Sequence, residues 1–200
     1  MQNLHVVPYF YFGNLAYFSY LIKNPCVFET KEHFIKQTFR TRCTIATSQK
    51  SQDLFLPVIR ERKTGNKTTI DQVKILNELY VKKQHWKSLV TAYQRSPFFE
   101  YYQADLEQLF LTEHIFLLNF HRASLIWIFK QLGVKFKVSE TTTYQPAHFY
   151  HKDCRNFSFS SAVIYPQTFD ATLPFLPNMS ILDVLFNLSG KPTLTLMQTN

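Results

Sequence analysis

Hydrophobic and polar residues follow two different periods along the chain, which predicts a strand-rich beginning and a helical middle. An apolar helix is predicted at residues 15–22, after a Gly-Asn turn and before Asn24-Pro25. Short apolar or alternating runs that predict strands lie at residues 4–9, 26–29, 39–47 and 54–60. The last two runs flank the polar segment 48–52, so we predict that they pair as an antiparallel hairpin.

The middle of the chain has helical periodicity. Trp86, Leu89 and Tyr93 recur at the spacing of one helix face. The dipeptide Ser96-Pro97 interrupts this pattern, with a serine suited to an N-cap and a proline suited to the first helical position. We therefore predict two consecutive helices that meet at this dipeptide.

A longer apolar pattern at residues 113–132 predicts the longest helix of the chain. Gly133 suits the position just after a helix, and residues 134–138 resemble a strand. Ser180 is a plausible N-cap for a last short helix. Together the patterns predict one mixed domain, α/β or α+β, over residues 1–200, with an N-terminal β-rich part, a central helical bundle segment and a short C-terminal helix.

Composition narrows the class of protein. The 200 residues are 46% hydrophobic and 16% aromatic, which excludes wholesale disorder. The formal net charge of +8 favours an anionic partner, although a basic surface that only keeps the protein soluble explains it equally well. No dense run of Lys and Arg occurs, so nucleic acid is an unfavoured partner.

The three cysteines, Cys26, Cys43 and Cys154, are odd in number and lack the CxxC spacing, which argues against a disulfide framework and a structural zinc site. The first residues lack the basic segment and cleavage site of a signal peptide. No run of about 18 apolar residues occurs, so we expect no membrane span. These features predict a cytoplasmic protein.

Arg40 and Arg42 are the first candidate ligand-binding residues. In a strand over residues 39–47, residues two apart share a face and lie roughly 6–7 Å apart. Two guanidinium groups at that distance suit a diphosphate or an acidic sugar. The alternative is a pair of solvated arginines on an exposed strand face.

His85 is a candidate general base, because it lies one position from the apolar face of its helix and imidazole titrates near neutral pH. A boundary histidine bonded to the backbone is the favoured alternative. Cys43 is an unfavoured nucleophile, since it lies within a predicted strand. His148, His151 and Asp153 match no common zinc pattern, so we predict no metal.

Asp183 and Asn187 are four residues apart on the last predicted helix and suit a shared polar ligand. Residues of these types more often cap or link neighbouring elements. The chain has four glycines and no phosphate-binding loop, no dinucleotide fingerprint and no GxSxG motif, so we predict no cofactor.

Four segments together resemble the short forms of the WbqC-like protein family. They are YFGNLAYFSYLI, EHFIKQTFRTRC, KQHWKSLVTAYQRSPFFEYY and the C-terminal PQTF with FLPNMSILDVLFN. They follow the family's order and span most of the chain. This sequence has Thr41 between Arg40 and Arg42 where the family pattern has Asn, which puts any role of that amide in doubt here.

The resemblance implies a part in bacterial surface-glycan biosynthesis, in O-antigen and amino-sugar pathways. We expect a transferase that moves an acyl or aminoacyl group onto an amino sugar or a nucleotide-linked sugar. His85 or His33 is expected to act as the general base. The expected ligand-binding residues, for an anionic ligand such as a nucleotide sugar, are Arg40, Arg42, Tyr93, Asp183 and Asn187.

Two other hypotheses remain open. The protein is a non-catalytic accessory module that binds a sugar nucleotide or a partner enzyme, with the aromatic segment 98–102 as a docking surface. Alternatively, it binds RNA through the basic segment 60–67, the weakest of the three.

Overall fold

A computed structural model of the chain describes residues 3–59 and 67–199. Within these residues, helices and small sheets form a mixed α/β fold, as the sequence predicts. The strands are β1 (His5–Val7), β2 (Cys26–Phe28), β3 (Arg42–Ala46), β4 (Ser51–Phe55), β5 (Val58–Ile59), β6 (Lys74–Ile75) and β7 (Lys152–Asp153). The helices are α1 (Leu15–Lys23), α2 (Glu78–Tyr93), α3 (Phe99–Leu111), α4 (Leu117–Leu132), α5 (Ile181–Leu188) and α6 (Gly190–Thr199).

A small parallel sheet organises the N-terminal part in the order β2-β1-β7. The central strand β1 reads His-Val-Val and is buried along its length, as expected for a strand with neighbours on both sides. Helix α1 connects β1 to β2, and the Asn14 side chain caps it by accepting a hydrogen bond from the Tyr17 N–H. Strand β7 is polar and short, and the sequence does not predict it.

The predicted hairpin exists with a different register. Strand β3 pairs antiparallel with β4, so the partner strand is Ser51–Phe55 and not residues 54–60. Pro57 has no N–H to donate to a ladder, and the chain beyond it forms β5, which pairs with β6. The basic segment 60–67 follows, and its residues 60–66 lie outside the described part of the chain.

The beginning of β3 corrects a second prediction. The strand begins at Arg42, and Arg40 lies in the preceding turn, where the Thr41 N–H donates to the carbonyl of Thr38. Arg40 and Arg42 therefore do not share a strand face.

The central helices follow the predicted apolar faces. Trp86, Leu89 and Tyr93 of α2 are buried. Helix α3 begins at Phe99, whose N–H donates to the carbonyl of Ser96. Ser96, the predicted N-cap, therefore lies in a turn before the helix. Helix α4 begins at Leu117 instead of residue 113 because the preceding segment is extended and bridges Lys74 through Phe116.

The helix ends follow local sequence signals. Gly133 ends α4 with a φ of 70°, a conformation that glycine adopts without strain. Ser180 caps α5 as predicted, by accepting from the Leu182 N–H. Helix α6 is unpredicted and packs against α1, α4 and α5. The segment 134–138 is not a strand. None of the helices in the described ranges is long and apolar enough to cross a bilayer.

Candidate functional site

The first candidate site is a cleft of about 400 Å³ at the carboxyl ends of the parallel strands, which we name the sheet-end cleft. Residues that follow β2 form one side, and the end of β7 with the residues after it forms the other. Parallel α/β sheets commonly bind ligands at this edge, where strand order changes direction. The lining residues used below are Lys31, Glu32, His33, Tyr144, Asp153 and Arg155.

Arg155 is the buried centre of this cleft, with 5% of its surface exposed. Its guanidinium donates to Asp153 at 2.6 Å and contacts Glu29 at 3.2 Å. It also lies over the ring of Tyr144, 4.7 Å from the centroid. Burial raises the pKa of the Asp153 carboxyl, but the hydrogen bonds and charge of Arg155 outweigh it, so the net pKa lies below its usual range. Asp153 is therefore ionised at neutral pH.

Arg40 supports the cleft from inside the protein. Its Nε donates to Glu32 Oε1 at 2.7 Å, and its Nη2 donates to the carbonyl of Arg155 at 2.8 Å. Arg40 is 2% exposed, so its guanidinium is held by protein groups. Burial raises the pKa of Glu32, and the charge of Arg40 only partly opposes that rise.

His33 is the exposed imidazole of the sheet-end cleft. Its backbone forms a bridge with Thr69, which fixes the segment that carries it. The neighbouring Lys31 forms an ion pair with Asp71 at 2.6 Å. An exposed imidazole in a cleft with carboxylates can take up and return a proton while a ligand is bound.

His85, the other predicted base, lies in the core, 8% exposed. Its Nδ1 is 2.8 Å from the hydroxyl of Tyr11. Burial lowers the pKa of His85 to about 4, against a smaller opposing effect of a hydrogen bond to the backbone of Phe55. The ring is therefore neutral at pH 7 and is bonded to a buried tyrosine hydroxyl, and its role as a general base stays a prediction.

Arg42 lies apart from the groups that hold Arg40. Its guanidinium is 3.6 Å from Asp53 and lies over the ring of Phe39, 4.6 Å from the centroid. The two arginines thus have different partners and different exposure. The shared face from which we predicted a two-arginine clamp is absent.

Tyr93, Asp183 and Asn187 are brought together by the fold, in a buried network. The Tyr93 hydroxyl donates to Asp183 Oδ1 at 2.8 Å, and Asn187 donates to the Asp183 carbonyl at 2.8 Å. Tyr165 donates to Asp183 Oδ2, also at 2.8 Å. Burial raises the pKa of the Asp183 carboxyl more than the hydrogen bonds from Tyr165, Tyr93 and Gln167 lower it. The contacts of Asp183 link α5 to α2 and to the segment that carries Tyr165, whereas the bond from Asn187 lies within α5.

The remaining candidates for nucleophilic or metal chemistry are Cys43, His148, His151 and Asp153. Burial raises the pKa of Cys43 to about 12, so its thiol stays protonated. His151 stacks on His5 at 5.2 Å, while Asp153 binds Arg155. Across the described residues, no three His, Cys, Asp or Glu side chains form a group able to hold a metal ion.

Sequence reasoning missed Glu29, Tyr144 and Arg155. They lie in loops without periodicity, and Glu29 and Arg155 are separated by 126 residues. A weak signal was present in Asp153-Cys154-Arg155, where an acid and a base flank a cysteine inside a polar loop.

Three comparisons with known proteins show which family the chain belongs to. A search of curated proteins and a search of solved structures each found no match. The family model described as the WbqC-like protein family matches residues 8–156, a range that includes all the residues of the sheet-end cleft named above. The chain belongs to the WbqC-like protein family, which is associated with glycan biosynthesis.

Proposed function

We propose that the protein is a transferase that moves an acyl or aminoacyl group onto an amino sugar or a nucleotide-linked sugar during bacterial surface-glycan biosynthesis. The observation that carries this proposal is the exposed imidazole of His33 in one cleft with Glu32 and Asp153, at the carboxyl ends of parallel strands. This arrangement offers a base and negative charge to an acceptor that carries an amine.

The charges of the cleft favour an amine or a hydroxyl over a phosphate. Arg40 and Arg155 are each held by protein carboxylates, so neither offers an unpaired guanidinium to an anion. Asp153 is paired with Arg155 but partly exposed, so its carboxylate can accept further hydrogen bonds from an amine or from sugar hydroxyls. We therefore assign the sheet-end cleft to the sugar part of the acceptor, which carries the attacking amine or hydroxyl.

In the proposed reaction, the acceptor nitrogen or oxygen attacks the carbonyl carbon of an activated acyl donor. His33 takes the proton that the attacking atom loses. The bond between the carbonyl carbon and the leaving group then breaks, and the imidazolium returns the proton to that group. The step needs no net oxidation or reduction.

A transfer assay tests the proposal. The protein is incubated with amino-sugar nucleotides and a panel of acyl thioesters and aminoacyl donors, and products are detected by mass spectrometry. Loss of a general base reduces the rate by about 10²–10⁴-fold, so we expect that decrease in kcat/KM for His33→Ala. The control is Lys36→Ala, an exposed neighbour outside the lining of the cleft. Full activity of His33→Ala would contradict the proposed base.

The accessory-module hypothesis has one observation in its favour. In the segment 98–102, Phe99 and Tyr102 are buried, whereas Tyr101 is 76% exposed and Phe98 is 37% exposed. Exposed aromatic side chains are common at the centres of protein interfaces. Binding of an amino-sugar nucleotide without turnover, by the wild type and by His33→Ala alike, would favour this function over the transferase.

A further inference from the structure

A second, larger cleft of about 780 Å³ lies beside α2, and we name it the α2 cleft. Three parts of the chain form its walls: the turn of the β3–β4 hairpin, the polar face of α2 with the residues after it, and the segment 168–172. Its volume falls in the range of about 300–1,000 Å³ that is typical of small-molecule sites.

The lining of the α2 cleft is basic and rich in hydrogen-bonding groups. Lys87 and Arg95 supply positive charge, and no carboxylate is present among the described residues that line the cleft. Neither of these two side chains forms an ion pair or a hydrogen bond within residues 3–59 and 67–199, so both are available to a ligand. Amides and hydroxyls make up much of the remaining lining, including Gln49, Gln52, Thr91 and Thr168.

The walls of this cleft are held in place by the buried network of Tyr93, Asp183 and Asn187. The Tyr93 hydroxyl accepts from the Ala46 N–H at 2.8 Å, at the end of β3, and donates to Asp183 of α5. Thr168 Oγ1 contacts Ser96 Oγ at 2.9 Å and donates to Asn187 at 3.1 Å. A site whose walls are fixed before binding loses less conformational entropy when a ligand arrives.

We propose that the α2 cleft binds the diphosphate and the ribose of a soluble nucleoside diphosphate or its sugar conjugate. Lys87 lies on α2 and Arg95 in the turn after it, and both line the cleft, so their long, flexible side chains can bind phosphates placed between them. The amides and hydroxyls bind the ribose or the sugar. Phe169, the aromatic residue of the lining, provides an apolar contact for the base.

This inference rests on the lining of the α2 cleft and does not require the transfer reaction proposed for the sheet-end cleft. The two proposals use different residues and have different measurements. A fully active His33→Ala protein would overturn the proposed base, and binding of nucleoside diphosphates by that protein would leave the second inference intact. A protein that catalyses the transfer but does not bind nucleoside diphosphates would leave the transferase proposal intact.

Isothermal titration calorimetry at low ionic strength tests the inference, with UDP, dTDP, CDP and GDP as probes. We expect at least one of them to bind the wild type, and to bind the double variant Lys87→Gln/Arg95→Gln at least tenfold more weakly. Lys83→Gln is the matched control, because Lys83 is exposed on the same helix and does not line the cleft. We expect its Kd to equal that of the wild type.

The matching nucleoside, which lacks the phosphates, should bind the wild type at least tenfold more weakly than the diphosphate. Added salt should weaken the diphosphate complex, because the cations are exposed to solvent. Absence of binding by all four probes overturns the inference, as does an unchanged Kd in the double variant. Circular dichroism of the double variant confirms that the exchange of two exposed side chains has left the fold intact.

Discussion

Arg40 is held inside the protein by Glu32 and by the carbonyl oxygen of Arg155. Removing one partner of a buried ion pair leaves the other charge without compensation, and this typically costs about 3–5 kcal/mol. Arg42 is partly exposed and lies 3.6 Å from Asp53. Surface ion pairs of this kind contribute less than about 1 kcal/mol to the free energy of unfolding. Two arginines separated by one residue thus have different roles.

We predict that Arg40→Ala lowers the free energy of unfolding by about 3–5 kcal/mol and that Arg42→Ala lowers it by less than about 1 kcal/mol. Arg40 compensates the buried carboxylate of Glu32, whereas the pair of Arg42 with Asp53 is partly exposed to solvent. Chemical denaturation of the two variants and the wild type measures both values. Equal and small effects would show that Arg40 is not the buried partner described here.

At the scale of elements, α6 depends on a close approach to the end of α4. A Cβ added to Gly190 would lie 1.9 Å from the carbonyl oxygen of Gln131, a backbone atom that cannot move without displacing α4. Glycine is therefore required by packing at the first position of α6. This requirement is distinct from the one at Gly133, where the positive φ and not a neighbour favours glycine.

We predict that Gly190→Ala destabilises the protein by about 1–3 kcal/mol, the usual cost of overpacking. In a chain of this size that corresponds to a decrease in Tm of about 2–12 °C. The control is Thr195→Ala, an exposed position on the same helix where alanine favours helix formation. Thermal unfolding of both variants measures the effect. An unchanged Tm in Gly190→Ala would contradict the docking of α6 against α4.

At the scale of the whole molecule, two buried histidines link folding to pH. Burial lowers the pKa of His85 to about 4 and that of His121 to about 3. The unfolded chain binds protons at these residues near pH 6.5, whereas the folded protein does not. Their contribution to stability is therefore fully present above pH 6.5 and is lost as pH falls toward the folded pKa values.

We predict that His85→Gln loses less stability than the wild type when pH falls. From pH 7 to pH 5, the loss due to His85 is about 2 kcal/mol, because the unfolded state gains the proton first. The raised pKa values of Glu32 and Asp183 increase stability as pH falls, and they do so equally in the wild type and in His85→Gln. The difference in stability between the two proteins therefore isolates the contribution of His85. Denaturation between pH 8 and pH 5 measures it, and parallel curves would contradict the buried neutral state of His85.

Much of the fold could be predicted because its signals act over a few residues. A helix cap needs one hydrogen-bonding side chain, and an apolar face needs only a repeat of 3.6 residues. Asn14, Ser180 and Gly133 accordingly mark helix ends that the structure confirms. Strand β7 and the hairpin register were missed, because pairing depends on partners distant in sequence.

The candidate site could be predicted only in part, because burial and contact are not local properties. The sequence by itself determined the mixed fold, the apolar faces of the central helices and the resemblance to the family, since each is recognised from residues near one another in the chain. Only the tertiary structure decided that Arg40 is enclosed, that His33 and not His85 is exposed in a cleft, and that Glu29 meets Arg155. The physical reason is that burial sets the charge and availability of a side chain, and burial is decided by packing between distant segments.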